Sequence, residues 1–113
     1  MSINDCVFCN IVKKSLHSNI LYENNEMVVI KDIMPKAPVH LLVISKEHIM
    51  SLNNIEEKHK GLLADMIFLA KNMAEQFKVA SSGYKLQFNV GRDGGQVVPH
   101  LHLHLLGGKP LDE

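Results

Sequence analysis

At 113 residues, with 46% hydrophobic and 21% charged side chains, the chain has the balance of one globular domain over residues 1–113, which excludes disordered, collagen-like and fibrous classes. Twelve Lys and Arg against twelve Asp and Glu leave no net charge, so there is no broad basic field for a nucleic acid or an anionic membrane, and any bound phosphate must be held locally. No stretch approaches the roughly 18 apolar residues of a membrane span, and Met1 to Cys6 carries no leader pattern, so a reducing cytoplasm is the expected compartment.

In chain order, Val7, Phe8, Ile11 and Val12 fall at helical spacing behind Asp5, predicting a short helix over 5–14 with Asp5 as its N-cap. Residues 20–23 and 27–31 read as a hairpin turning at Asn24 and Asn25, followed by an irregular loop bracketed by Pro35 and Pro38. A strand is predicted over 40–45. Asn54 and Glu57 resemble a capping pair before the one long helix, whose buried stripe is Leu62, Leu63, Met66, Ile67, Ala70, Met73, Ala74 and Phe77. Tyr84, Leu86, Phe88 and Val90 alternate with polar residues, predicting a strand over 84–90, and Arg92 to Gly95 makes the next turn. A last strand over 100–106 alternates His and Leu. The order of elements gives an α+β domain on a mostly antiparallel sheet of five strands, with one long and one short helix.

Three of the seven histidines, His100, His102 and His104, alternate along that last strand and share one face, while Leu101, Leu103 and Leu105 take the other. A merely solvated face would mix Lys, Thr and Glu instead. A metal site built from these imidazoles has no carboxylate nearby in sequence to complete or orient it. Nucleophilic catalysis is the third reading: a neutral imidazole attacks phosphorus without prior deprotonation if its other nitrogen donates a hydrogen bond, and a second ring protonates the leaving group. Just upstream, Asp93-Gly94-Gly95-Gln96 supplies glycine backbone able to approach a ligand and offer N–H groups to an anion. Cys6-x-x-Cys9 reads three ways: buried thiols, a redox pair, or half of a zinc site. A redox pair lacks the preceding strand of a βαβ setting.

The run from Gly94 to Gly108, with His100-Leu-His102-Leu-His104-Leu-Leu at its centre, resembles the signature of the histidine triad (HIT) superfamily, and the branch resembled is Hint. Support extends to the segment from Asp5 to Ile11, to Asp32 and Ile33 before the Pro-rich loop, to the run from Pro38 to Ile44, and to Lys46-Glu47-His48. The resemblance implies a HIT-like α+β fold, a homodimer, and hydrolysis of purine nucleoside phosphoramidates or acyl-nucleotides. It implies that His102 is the nucleophile, that His104 contacts the phosphate and helps the amine leave, and that His40 lies behind His102 as relay or orienting partner. Asn89, Gly95 and Gln96, with Val97 beside them, would line the phosphate site. Asp32 would accept from the ribose hydroxyls, its plainer reading being a turn residue. Val7, Phe8, Ile11 and Ile33 would form the base slot, where ordinary core packing is the plainer reading.

For zinc, His48 and His100 are the positions that some bacterial relatives with this cysteine pair use, giving a structural Cys6, Cys9, His48, His100 site and no organic cofactor. His17 and His59 receive no role and are expected at the surface. Val97 stands where family members often carry a hydroxyl, and the tail after Gly108 lacks the aromatic residue of some relatives. The neighbouring activities are a dinucleoside polyphosphate hydrolase or nucleotidyl transferase, and a nucleotide-binding interaction module with incidental turnover.

Overall fold

Two short apolar runs separated by asparagine fold back on each other. In the computed structural model, which describes residues 5–113, Ile20–Glu23 is β1 and Met27–Lys31 is β2, paired antiparallel. Asn24 closes the turn, its Oδ1 accepting from the backbone N–H groups of Glu26 and Met27 at 2.8 and 2.9 Å. The leader-free reading of the N-terminus falls mostly on residues 1–4, outside the described residues.

The strands Val39–Ser45 (β3), Tyr84–Gln87 (β4) and His102–Gly107 (β5) complete a five-stranded sheet of order β1-β2-β3-β5-β4, every neighbouring pair antiparallel. The period-two patterns divide its two faces. Met27, Val29, Leu41, Val43, Leu103 and Leu105 pack toward the long helix, whereas Val28, Ile30, Leu42 and Ile44 pack with Phe8, Cys9 and Ile11 of the short one. His102 and His104 stand opposite Ile44 and Leu42 across the β3–β5 ladder, so they share the short helix's face.

The long helix, α2, is Lys60–Gln76 and buries Leu62, Met66, Leu69, Ala70, Met73 and Ala74. Each fully buried Leu or Met contributes roughly 1.5–3 kcal/mol, several times any intrinsic helix propensity, so packing holds this element. The stripe differs from expectation in that Leu69 is in the core and Ile67 is 49% exposed, because Leu69 continues the 62, 66 row at 100° per residue. The Asn54/Glu57 capping pair is corrected too. Leu52–Asn54 and Glu57–His59 are 3₁₀ turns, the first capped by Ser51, whose Oγ accepts from Asn53 N–H at 3.1 Å. In the second, His59 Nδ1 accepts from Glu56 N–H at 3.0 Å. His59 is therefore buried, not at the surface, and its Nε2 lies 3.2 Å from a Glu47 carboxylate oxygen.

The short helix α1, Val7–Val12, is capped by Cys6 rather than Asp5: the Cys6 Sγ accepts from Cys9 N–H at 3.4 Å. Two strands also end differently. β4 stops at Gln87, its last partner on β5 being His104, and the chain then turns into a loop in which Asn89 Nδ2 donates to Gly94 O at 2.7 Å. β5 starts at His102 rather than His100. Among the described residues no helix is long and apolar enough to cross a membrane.

Candidate active site

A cleft of about 620 Å³ opens over the α1 face of the sheet. Its apolar lining is Val7, Phe8 and Ile11 of α1 with Ile30, Ile33 and Leu42, and the rest includes Asp32, His40, His102, His104, Asn89, Gly95 and Gln96. Val97 also lines it and is 89% exposed. The structure thus brings the eleven residues read as nucleotide-binding, and His40 with them, to one cavity.

The β5 alternation sets two imidazoles side by side, the His102 and His104 ring centroids 5.0 Å apart and the Phe8 ring edge-on to His102 at 5.0 Å. Their protons can be assigned from their neighbours. His102 Nδ1 lies 2.6 Å from the His100 carbonyl, and a carbonyl only accepts, so Nδ1 carries the hydrogen and Nε2 keeps its lone pair. His40 Nδ1 accepts from Lys36 N–H at 3.1 Å, which puts the hydrogen of the neutral ring on Nε2, 2.9 Å from His104 Nδ1. His104 Nδ1 is thereby an acceptor, and its own hydrogen sits on Nε2. His40 is found against His104, not behind His102 as the resemblance implied, because it faces Leu106 across the ladder and lies beyond the His104 pair. With Nδ1 occupied by a backbone donor, it orients His104 and has no free nitrogen for a relay.

Burial keeps these rings neutral. His104 is pushed down to about 4, first by burial and then by His102 and His40, and His102 and His40 are also lowered by burial, against the opposing pull of Asp32. Asp32 takes the plainer of the two roles expected of it, Oδ1 accepting from Met34 N–H at 2.8 Å in a side-chain turn, while its Oδ2 lines the cleft 3.3 Å from His40 Nε2, a contact the sequence reading did not anticipate. Asp32, His40 and His104 lie within ligand distance of one another, but the His40 nitrogen involved is protonated and has no lone pair for an ion.

In the loop before β5, Gly95 has φ +79°, and a Cβ on Gly94 would collide with the Val90 carbonyl, so both positions require glycine. The Gln96 amide braces this loop from within. Its Oε1 accepts from Gly91 N–H at 2.9 Å and its Nε2 donates to Met50 O and Val98 O at 2.7 and 3.0 Å. Sequence reading missed Lys36, whose N–H fixes His40, and Gln87, which lines the cleft. The polar positions of the 84–90 alternation signalled Gln87. Nothing in the sequence signalled Lys36. His17 is at the surface and borders the same cleft.

A second cluster stands on the other side of His100. Cys6, Cys9, His48 and His100 present donor atoms within 4.8 Å of one another. Cys6 Sγ is 3.3 Å from His100 Nδ1, Cys9 Sγ is 3.1 Å from His48 Nδ1 and 3.5 Å from His100 Nδ1, and the two Nδ1 atoms are 3.1 Å apart. A tetrahedral zinc ion with bonds of about 2.0–2.3 Å would space its donors by roughly 3.3–3.8 Å, so the set fits the ion after small adjustments. His100 Nε2 donates to Ser45 O at 2.7 Å, leaving Nδ1 with its lone pair aimed at the cluster. Burial and the neighbouring Cys6 push the Cys9 thiol up to about 11, so an ion entering here must displace thiol protons.

Three comparisons bear on this arrangement. Residues 5–110 match the family described as "Scavenger mRNA decapping enzyme C-term binding". The chain is 39% identical over 107 residues, 95% of its length and 90% of the other's, to a purine nucleoside phosphoramidase of Escherichia coli. It superposes on a HIT family hydrolase from Clostridium thermocellum with a TM-score of 0.94 at 45% identity, covering 99% of this chain and 97% of that one. A HIT family hydrolase from Legionella pneumophila gives 0.93 at 39% identity, with 96% of each chain covered. A triad strand facing a cleft on a five-stranded antiparallel sheet is the HIT fold, and the chain belongs to the histidine triad superfamily.

Proposed function

We propose that the chain is a purine nucleoside phosphoramidate hydrolase, acting also on acyl-nucleotides, through a nucleotidyl-His102 intermediate. The observation that carries this reading is the pair of opposite tautomers on one face: His102 with a free Nε2 and His104 with a protonated one. His102 Nε2 attacks the α-phosphorus, forming a P–N bond to the ring as the bond to the substrate's amine breaks. The departing nitrogen takes the Nε2 proton of His104, while the His40 Nε2–H bond to His104 Nδ1 at 2.9 Å stabilises the negative charge left on that ring. Water then attacks the same phosphorus, giving a proton back to His104 Nε2, His102 leaves with its lone pair on Nε2 restored, and the nucleoside monophosphate is released. The His100 carbonyl supports the cationic nucleotidyl ring, because its bond to Nδ1–H strengthens as charge develops. Val7, Phe8, Ile11 and Ile33 would hold the base and Asp32 the ribose hydroxyls. The phosphoramidase relative at 39% identity supports the substrate class.

Zinc is part of the same reading: Cys6, Cys9, His48 and His100 would hold it, and their chemistry and spacing support it. With four protein donors no position is left for water, so the ion supplies rigidity rather than Lewis acidity. The decisive test is a rapid quench in alkaline denaturant, which preserves the acid-labile P–N bond, during turnover of adenosine 5'-phosphoramidate, followed by mass spectrometry. An adenylyl group is expected on wild-type chain and none on His102→Ala. Turnover by His102→Ala at near the wild-type rate would overturn the assignment.

A further inference from the structure

The two clusters are joined by more than sequence. Three separate parts of the cleft are fastened to ligand residues of the cysteine–histidine centre. The first is the base wall. α1 is only six residues long, too short to be stable alone, and it is tethered at Cys6 and Cys9 with Val7 and Phe8 between them. The Phe8 ring packs edge-on to both His100, at 5.8 Å and 83°, and His102, at 5.0 Å and 78°. The second is the nucleophile, whose Nδ1–H is held by the His100 carbonyl at 2.6 Å. The third is the phosphate loop. His100 N–H donates to Val98 O at 2.8 Å, the carbonyl that also accepts from Gln96 at 3.0 Å. His100 itself is completely buried, held by Ser45 O at one nitrogen and facing the cluster at the other. A change in how its ring is held therefore reaches its own carbonyl and N–H.

We propose that the metal centre and the nucleotide cleft are coupled sites: an ion on Cys6, Cys9, His48 and His100 raises affinity for purine nucleotide, and bound nucleotide tightens the hold on the ion. The inference rests on the cleft and cluster readings above, and adds to them an energetic link between sites that share no ligand atom. Without the ion, only weak thiol–imidazole hydrogen bonds hold α1 to His48 and His100, so nucleotide binding must then finish ordering the base wall as well as fill it. With the ion in place that ordering is already complete. Coupling is reciprocal for binding equilibria, so the same factor applies in both directions.

The experiment uses full-length protein, AMP as the nucleotide, and Co²⁺ as a spectroscopic stand-in for zinc. AMP is titrated by calorimetry into zinc-loaded protein and into metal-free protein shown to be folded by circular dichroism. AMP affinity is expected to fall about tenfold without metal, and zinc affinity, measured by chelator competition, to rise about tenfold with saturating AMP. Because the metal-free chain can unfold, the Co²⁺-loaded protein is titrated in parallel. AMP should shift its cobalt–thiolate bands, while inorganic phosphate, which cannot reach the base wall, should not. If AMP and zinc both bind, yet neither alters the other's affinity and the cobalt bands stay fixed, the coupling is overturned and the two sites stand as proposed. Failure of folded protein to take up either ion overturns the zinc reading and the coupling with it. Failure of AMP to bind the loaded protein overturns the nucleotide reading and the coupling with it.

Discussion

In the proposed mechanism His40 touches no reacting atom and serves to fix the proton of His104, whose Nδ1 lies 2.9 Å from His40 Nε2. In His40→Ala, Lys36 N–H and His104 Nδ1 both lose their partner, at 3.1 and 2.9 Å respectively. An orphaned buried polar group costs about 1–3 kcal/mol, and water from the cleft can reach the His104 side, so a net stability loss of about 2–3 kcal/mol is expected. For a chain of this size that lowers the melting temperature by roughly 8–12 °C. The kinetic effect is separate. If holding the Nε2–H tautomer is worth about 1–3 kcal/mol in the transition state, kcat falls about 5- to 150-fold with KM nearly unchanged. His40→Phe separates the two effects, since it refills the volume while removing the donor. It should melt closer to wild type yet show the same kcat loss. The assay is steady-state hydrolysis of a fluorogenic adenosine 5'-phosphoramidate beside a thermal melt. Wild-type kcat in His40→Phe would refute the tautomer chain.

The depressed His104 bears on pH. Its folded value of about 4 lies below the ordinary 6.5, so its stability contribution is whole above about 6.5 and is lost as pH falls from there to about 4; kcat/KM should stay level from pH 8 to about 5.5, and a fall with midpoint near 6.5 would contradict the assignment. Cys6→Ala should lower both bound zinc and melting temperature, as should a strong chelator on the wild type, and identical melting with and without chelator would return the cysteines to buried free thiols. A homodimer is expected, because Phe68 and Ile67 expose 65% and 49% of their surface along one side of α2; light scattering at micromolar concentration should give twice the 12.7 kDa chain mass, and Phe68→Glu should halve it.

Much of this was legible because period-two and period-3.6 patterns are imposed by burial. The hairpin limits at residues 20, 23, 27 and 31 and the opposed faces of the His–Leu strand come from that rule, and the observed strands follow it. The caps were misread because Asp5, Asn54 and Glu57 are good capping types in poor places. The sulfur of Cys6 and the ring of His59 took the roles instead, each through a local bond to a backbone N–H three residues away, from Cys9 and Glu56 respectively, made by residue types that seldom cap helices. The members of the cleft could be listed from the triad motif, but not which histidine meets which. That His40 serves His104 follows from the β3–β5 register, a property of two strands about sixty residues apart in sequence.

β5 carries two messages on one ribbon. Leu103 and Leu105 complete the core against α2, while His102 and His104 face the cleft, with residue spacing as the only partition between them. Inserting or deleting a single residue inside the strand would drive imidazoles into the oily layer and present leucines to the substrate. Such a frame error could not produce a well-folded protein with a scrambled catalytic face, because the same slip removes the interior. Quality control of the fold therefore doubles as quality control of the chemistry. Chains that survive proteolysis carry their histidines in register, and loss of activity without loss of folding must come from point substitutions on the histidine face or in the segments that frame it.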